Sequence, residues 1–206
     1  YDGQLITPTA FNSNPDNLKD FYETGVTTIN NLSIATGFNT GDFRLSLTDL
    51  RSDGIIPGVN LDRQTISTKL NFTPTQKTKI TSNISYVNSQ SDNRPSNGYG
   101  SENVNYSLVA WGPRSLNIDS LRDYWQPGLE GVQQYSFNYT FFGNPYFILF
   151  ENRNSFNRDR VFGNVSIKHN FTEKLSVAVR SGMDYSNEKR QFLRNFSSNR
   201  FKNGAY

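Results

Sequence analysis

The feature that most limits the fold of this chain is an alternation of apolar and polar side chains, held for about ten residues at a time in six stretches. Successive side chains of a strand point to opposite faces, so each stretch is a ribbon with one greasy side and one hydrophilic side. The spacing predicts strands over 26–36, 42–51, 61–72, 77–88, 159–171 and 174–186. In the second, Phe43, Leu45 and Leu47 oppose Arg44, Ser46 and Thr48. In the third, Ile66, Leu70 and Phe72 oppose Arg63, Ser67 and Lys69, and in the last Val177, Val179 and Met183 oppose Ser176, Arg180 and Asp184. Ile29 breaks the pattern in the first strand and Phe162 in the fifth.

Strands of soluble domains average about 5–6 residues, whereas a strand crossing a bilayer needs about 9–11. The length of these runs therefore points to the membrane. The connections agree: 73–76 and 172–173 are short turns, while 52–60 and above all 89–158 are long. Short turns at one end and long loops at the other is how outer-membrane barrels are built. The run Lys69-Leu70-Asn71-Phe72-Thr73 at one short turn recurs as Lys168-His169-Asn170-Phe171-Thr172 at the other, each ending its apolar face on a ring suited to a membrane boundary.

Composition permits this reading. Only 34% of residues are hydrophobic and the mean hydropathy is -0.65. No run approaches the roughly 20 apolar residues of a transmembrane helix; the longest is Tyr146 to Phe150. A barrel escapes that test because only alternate residues meet lipid. The net charge of +3 comes from Lys and Arg scattered without a basic block, so a nucleic-acid partner has no support. There is no cysteine, and the single histidine, His169, lies next to a short turn on the apolar parity. With no nucleophile beside a base, no paired carboxylates and no metal or phosphate motif, the sequence argues against an enzyme and implies neither cofactor nor metal. The chain opens Tyr1-Asp2-Gly3, with no Met and no apolar leader, and reads as an internal stretch of a longer protein.

Six such strands leave a sheet with two open edges, which hydrocarbon does not tolerate. The expectation is an all-β, antiparallel up-and-down arc of a larger transmembrane β-barrel carrying one long extracellular loop. The segment Arg114-Ser115-Leu116-Asn117-Ile118-Asp119-Ser120-Leu121-Arg122-Asp123-Tyr124-Trp125, followed by Gly131-Val132-Gln133-Gln134 and Asn144-Pro145-Tyr146-Phe147, resembles the SusC/RagA-like TonB-dependent transporters of Bacteroidetes. The flanking Asn17-Leu18-Lys19-Asp20-Phe21-Tyr22-Glu23-Thr24-Gly25, Arg158-Asp159-Arg160-Val161-Phe162-Gly163-Asn164 and Met183-Asp184-Tyr185 share the likeness. That resemblance implies a barrel of about 22 strands in the bacterial outer membrane around an N-terminal plug. It also implies partners: a SusD-like surface lipoprotein as lid and the TonB-ExbB-ExbD system as energy source. The plug and the segment that TonB grips are not expected within these 206 residues. The implied activity is import of glycans or oligopeptides.

Candidate ligand contacts fall in two groups. Trp111, Tyr124, Trp125 and Tyr139 belong to a long loop unusually rich in rings, which either stack on cargo or pack the loop on itself. Arg63, Lys69 and Arg180 have the polar parity that would line the interior. Two other architectures compete: a soluble β-sandwich that binds carbohydrate through its aromatic loop, and a purely structural outer-membrane barrel.

Overall fold

The computed structural model describes residues 11–138 and 140–199. In chain order it holds a short helix α1 (Asn17–Phe21) and four strands, β1 (Val26–Phe38), β2 (Gly41–Asp53), β3 (Asn60–Thr75) and β4 (Thr78–Ser91). Helical turns α2 (Val104–Tyr106) and α3 (Pro145–Phe150) follow, and β5 (Asn154–Asn170) and β6 (Ser176–Phe192) end the series. All six strands belong to one antiparallel sheet in the order β1-β2-β3-β4-β5-β6, so every strand pairs with its neighbour in sequence. The two-layered sandwich is therefore not what the chain forms, because among the described residues no second sheet faces this one.

The strands are longer than their alternation suggested. β5 begins at Asn154 and β6 runs to Phe192, and the long connection spans 92–153. The added segments, such as Asn154-Ser155-Phe156-Asn157, carry no apolar alternation. They are strands because β4 and β6 hydrogen-bond to them on either side, through pairs such as Ser91 with Phe156 and Asn157 with Lys189.

Register converts six separate alternations into one pattern. Residues directly opposite each other in an antiparallel pair share a face. Reading across the sheet, Leu32, Leu47, Ile66, Tyr86, Val161 and Tyr185 form one continuous row. Two residues toward the short turns lies Ile34, Leu45, Thr68, Ile84, Gly163 and Met183, then Thr36, Phe43, Leu70, Ser82, Val165 and Ser181. Phe38, Gly41, Phe72, Ile80, Ile167 and Val179 come next. Two residues the other way, the row is Asn30, Asp49, Gln64, Asn88, Asp159 and Asn187, polar in all six strands.

One face is thus an uncharged apolar belt with an abrupt polar border. Every strand charge on that face, namely Asp49, Arg51, Asp53, Asp62, Asp159 and Lys189, lies at or beyond the border. Rings mark both limits: Tyr86 and Tyr185 beneath the polar row, and Phe38, Phe72 and Phe171 at the turns. The turns do not end on one row, since β5 and β6 pair to Asn170 and Ser176, three residues past Ile167. A stagger of that kind accompanies the strand tilt found in closed barrels.

Among the described residues nothing covers the belt. Leu32, Val179 and Met183 are 61%, 64% and 61% exposed. The buried core instead lies wholly outside the strands: Phe21 of α1, Ile56 of the β2–β3 link, and Val104, Leu108, Ile118, Leu121 and Tyr146–Leu149 of the long connection. This small globule sits at the loop end of the sheet. Asn144 pins it, because the amide is fully buried and its oxygen accepts the backbone N–H of Tyr146 and Phe147, capping α3 ahead of Pro145. The amide nitrogen donates to the carbonyls of Leu121 and Tyr135, at 2.8 Å each.

Candidate functional site

The face opposite the belt carries the other parity of all six strands. Its charges are Arg44, Arg63, Lys69, Lys79, Arg158, Arg160, Lys168, Arg180 and Arg190 against Asp42, Asp184 and Glu188. Between them stand hydroxyls and amides, including Ser67 and Ser85, whose side-chain oxygens are 2.9 Å apart. Such a surface is one that water wets.

Arg63, Lys69 and Arg180 all lie on this face, as their parity requires, but not together. Arg63 is near the loop end, donating to the Ser89 hydroxyl at 3.2 Å, while Lys69 and Arg180 are in the turn half on different strands. A feature that sequence parity left unpaired is the Arg160 guanidinium, which donates to both oxygens of Asp184, its Nε at 2.8 Å. The same guanidinium lies 4.9 Å from the centre of the Phe162 ring. Phe162, the ring that broke the alternation of β5, is the plate under that cation. Register would have revealed the pair, since Phe162 and Asp184 are opposite one another.

The loop aromatics separate on inspection. Tyr124 and Trp125 turn inward: Trp125 meets Phe147 edge-on at 5.3 Å, and Tyr124 contacts Phe147 and Phe150 while its hydroxyl donates to Glu151 at 3.0 Å. Trp111 is half exposed, its ring 5.5 Å from Phe142. Tyr139 lies outside the described residues. Burial raises the phenol pKa of Tyr146, and burial with the Glu151 carboxylate raises that of Tyr124, both marks of packing rather than of a titrating site.

Beneath the globule a cavity of about 270 Å3 is lined by Arg94, Glu102, Ile148, Asn154, Phe192 and Arg194 among others. Arg194 and Glu102 form an ion pair there, each side chain more than four-fifths buried, joining residues 92 positions apart. No sequence signal marks that partnership. His169 is held by the Thr78 hydroxyl at 2.9 Å and meets Phe171 edge-on. Among the described residues no three His, Cys, Asp or Glu side chains gather where a metal could sit.

No protein-family model matches the chain, and no curated protein does. Solved structures do. The fold is similar to chains of the RagAB peptide importer in its "closed-closed" state, with TM-score 0.61 and 17% identity, and in its "open-open" state, with TM-score 0.61 and 18% identity. A further structure of the RagAB peptide transporter matches at TM-score 0.62 and 18% identity. These matches cover 91–92% of this chain but only 20–21% of the solved ones, so the chain spans about a fifth of their length.

Proposed function

We propose that this sheet is an arc of the transmembrane barrel of an outer-membrane importer, its apolar belt against lipid and its cationic face on a wet interior. The observation that carries the reading is the register. Six independent alternations fall on one face, end together at a row that is polar in every strand, and find no cover among the described residues. From the Leu32 row to the Phe38 row is six residues, about 20 Å along the strand, and on β6 from Val177 to Tyr185 about 27 Å. At a tilt of about 40° those lengths stand about 15–21 Å tall, and with the rings at either limit they approach the apolar band of outer-membrane barrels, about 25 Å.

On this reading the globule over the loop end faces the outside, and further strands and a plug complete the pore. A SusD-like lipoprotein covers it and TonB-ExbB-ExbD energises it. The cargo is an oligopeptide or a glycan, and the likeness to a peptide importer favours the peptide. Since these 206 residues contain no cysteine, single cysteines carrying a nitroxide test the arrangement in the full-length protein reconstituted in vesicles, with any cysteine elsewhere in it replaced by serine. Labels at Ile66 and Val179 should be relaxed by oxygen dissolved in the bilayer, and labels at Ser67 and Ala178 by a water-soluble nickel chelate. Equal access of the chelate to all four sites would end the proposal.

A further inference from the structure

The polar face is not evenly hydrophilic. Its turn half holds Arg44, Lys69, Lys79, Lys168 and Arg180. Two of the pairings set like charges directly opposite, Arg44 against Lys69 and Lys79 against Lys168, an arrangement that costs a sheet stability. Arg44 leans away from its opposite number and donates to the Ser33 and Ser46 hydroxyls.

Five cations share this half of the face with one strand carboxylate, Asp42, so its charge stays strongly positive. Asp184 is forked by Arg160 and Glu188 is held by Arg190, while Asp42 is turned to the Asn71 amide, which donates to both of its oxygens. Among the described residues none of the five forms an ion pair. A wet sheet of serine, threonine and asparagine would line a pore just as well without this repulsion. Within these six strands the repulsion goes unrecovered, and an opposite charge facing the patch from the lumen is what would recover it.

Resting on the importer reading, we infer that this turn-half patch is the track for an anionic cargo, and that the cargo class is acidic oligopeptides. Clefts lined with one sign of charge concentrate counter-ions and raise association rates by about 10- to 1,000-fold. The patch lies on the inner side of the pore, so it acts on cargo that has already passed the globule. Side-chain carboxylates and the C-terminal carboxylate of a peptide are the groups that lysine and arginine would receive in passing.

The test uses the full-length protein and labelled nonapeptides rich in Asp and Glu, uncharged, or rich in Lys. Binding to the purified protein and uptake by energised cells are both measured, normalised to folded protein in the membrane. Acidic peptides should bind about tenfold tighter than basic ones at low salt. The preference should collapse near 1 M salt, where the screening length is about 3 Å. Lys69→Gln, Lys79→Gln and Lys168→Gln combined should cut the preference to about twofold. Lys79→Gln alone should keep or raise thermal stability, because it removes one of the facing like charges, so a folding defect would not mask the result. An unchanged preference in the triple variant overturns the inference, as does a protease-sensitive interior with selectivity intact, which would assign the cations to the plug. Uptake that ignores peptide charge overturns this inference alone. Uptake of no peptide overturns the peptide-importer reading as well, and uptake of uronic-acid oligosaccharides in its place would reassign the cargo class.

Discussion

Val165→Arg and Ser166→Arg place the same cation one residue apart on opposite faces of β5, which isolates the membrane claim from charge and strand propensity. Val165 sits on the belt face four residues from Val161, below the polar row, and four from His169, near the turn. Four residues are about 13 Å of strand and, at a tilt of about 40°, about 10 Å of depth from either limit. That is the middle of the bilayer, where an arginine on the lipid face of a barrel costs about 2–4 kcal/mol. The folded-to-unfolded ratio should fall roughly 30- to 700-fold. Ser166 pairs with Thr81 and Arg180 on the wet face, and an added arginine there should cost about 1 kcal/mol or less. Both variants of the full-length protein would be refolded from urea into phosphatidylcholine vesicles, and the midpoints and slopes compared. Equal losses would mean that the belt does not face hydrocarbon, whatever the fold resembles.

Three other outcomes follow from particular contacts. Asn144→Ala removes the α3 cap and strands the carbonyls of Leu121 and Tyr135, so the globule should lose about 2–4 kcal/mol and proteases should cut within 92–153; resistance equal to the native protein would refute the hub role. Gly163→Ala should cost about 1–3 kcal/mol in the same refolding assay, because a Cβ there would lie 2.3 Å from the Asn83 carbonyl oxygen and 2.8 Å from the Ile84 Cα, and an unchanged midpoint would show that the strands can part freely. For Tyr146 the folded state holds the phenol above its ordinary value of 10.0, mainly by burial, so its neutral form is favoured on folding. That contribution is complete below the ordinary value and disappears as pH rises through the raised one. Phenolate absorbance and protease sensitivity of the globule should climb together above pH 10.0, and ionisation of Tyr146 without loosening would contradict the burial.

What the sequence made legible was whatever depends on neighbours two residues apart. Parity placed Leu45, Ile66 and Val179 on one face and Arg63, Lys69 and Arg180 on the other with no knowledge of pairing. It could not say that Arg44 would face Lys69, or that Asp184 would sit where Arg160 reaches it, because those facts belong to register across strands. The aromatic loop was harder still. Tyr124 and Trp125 look identical in sequence to ligand-stacking rings, and only the contacts with Phe147 show them holding a core. The Glu102–Arg194 pair spans most of the second half of the chain and leaves no local trace.

The two open edges carry the final step. Within the belt, β1 contributes an edge from Leu32 to Phe38 and β6 one from Val177 to Tyr185. On an antiparallel edge about every second residue turns its N–H and C=O outward. Roughly eight residues on the two edges would therefore bring about 16 polar groups to lipid, each costing several kcal/mol. The total is on the order of tens of kcal/mol, against the 5–15 kcal/mol by which a fold is stable. No rearrangement of six strands removes that cost, since single-chain bacterial barrels of this type begin at about eight strands. On the importer reading further strands pair with β1 and β6, and register dictates their pattern. Whatever lies beside β6 must be apolar opposite Tyr185 and polar opposite Asn187, continuing the border that the six strands already share. A neighbouring strand that broke that row would leave a charge in hydrocarbon or a greasy side chain in water, and the belt would cease to be a membrane belt.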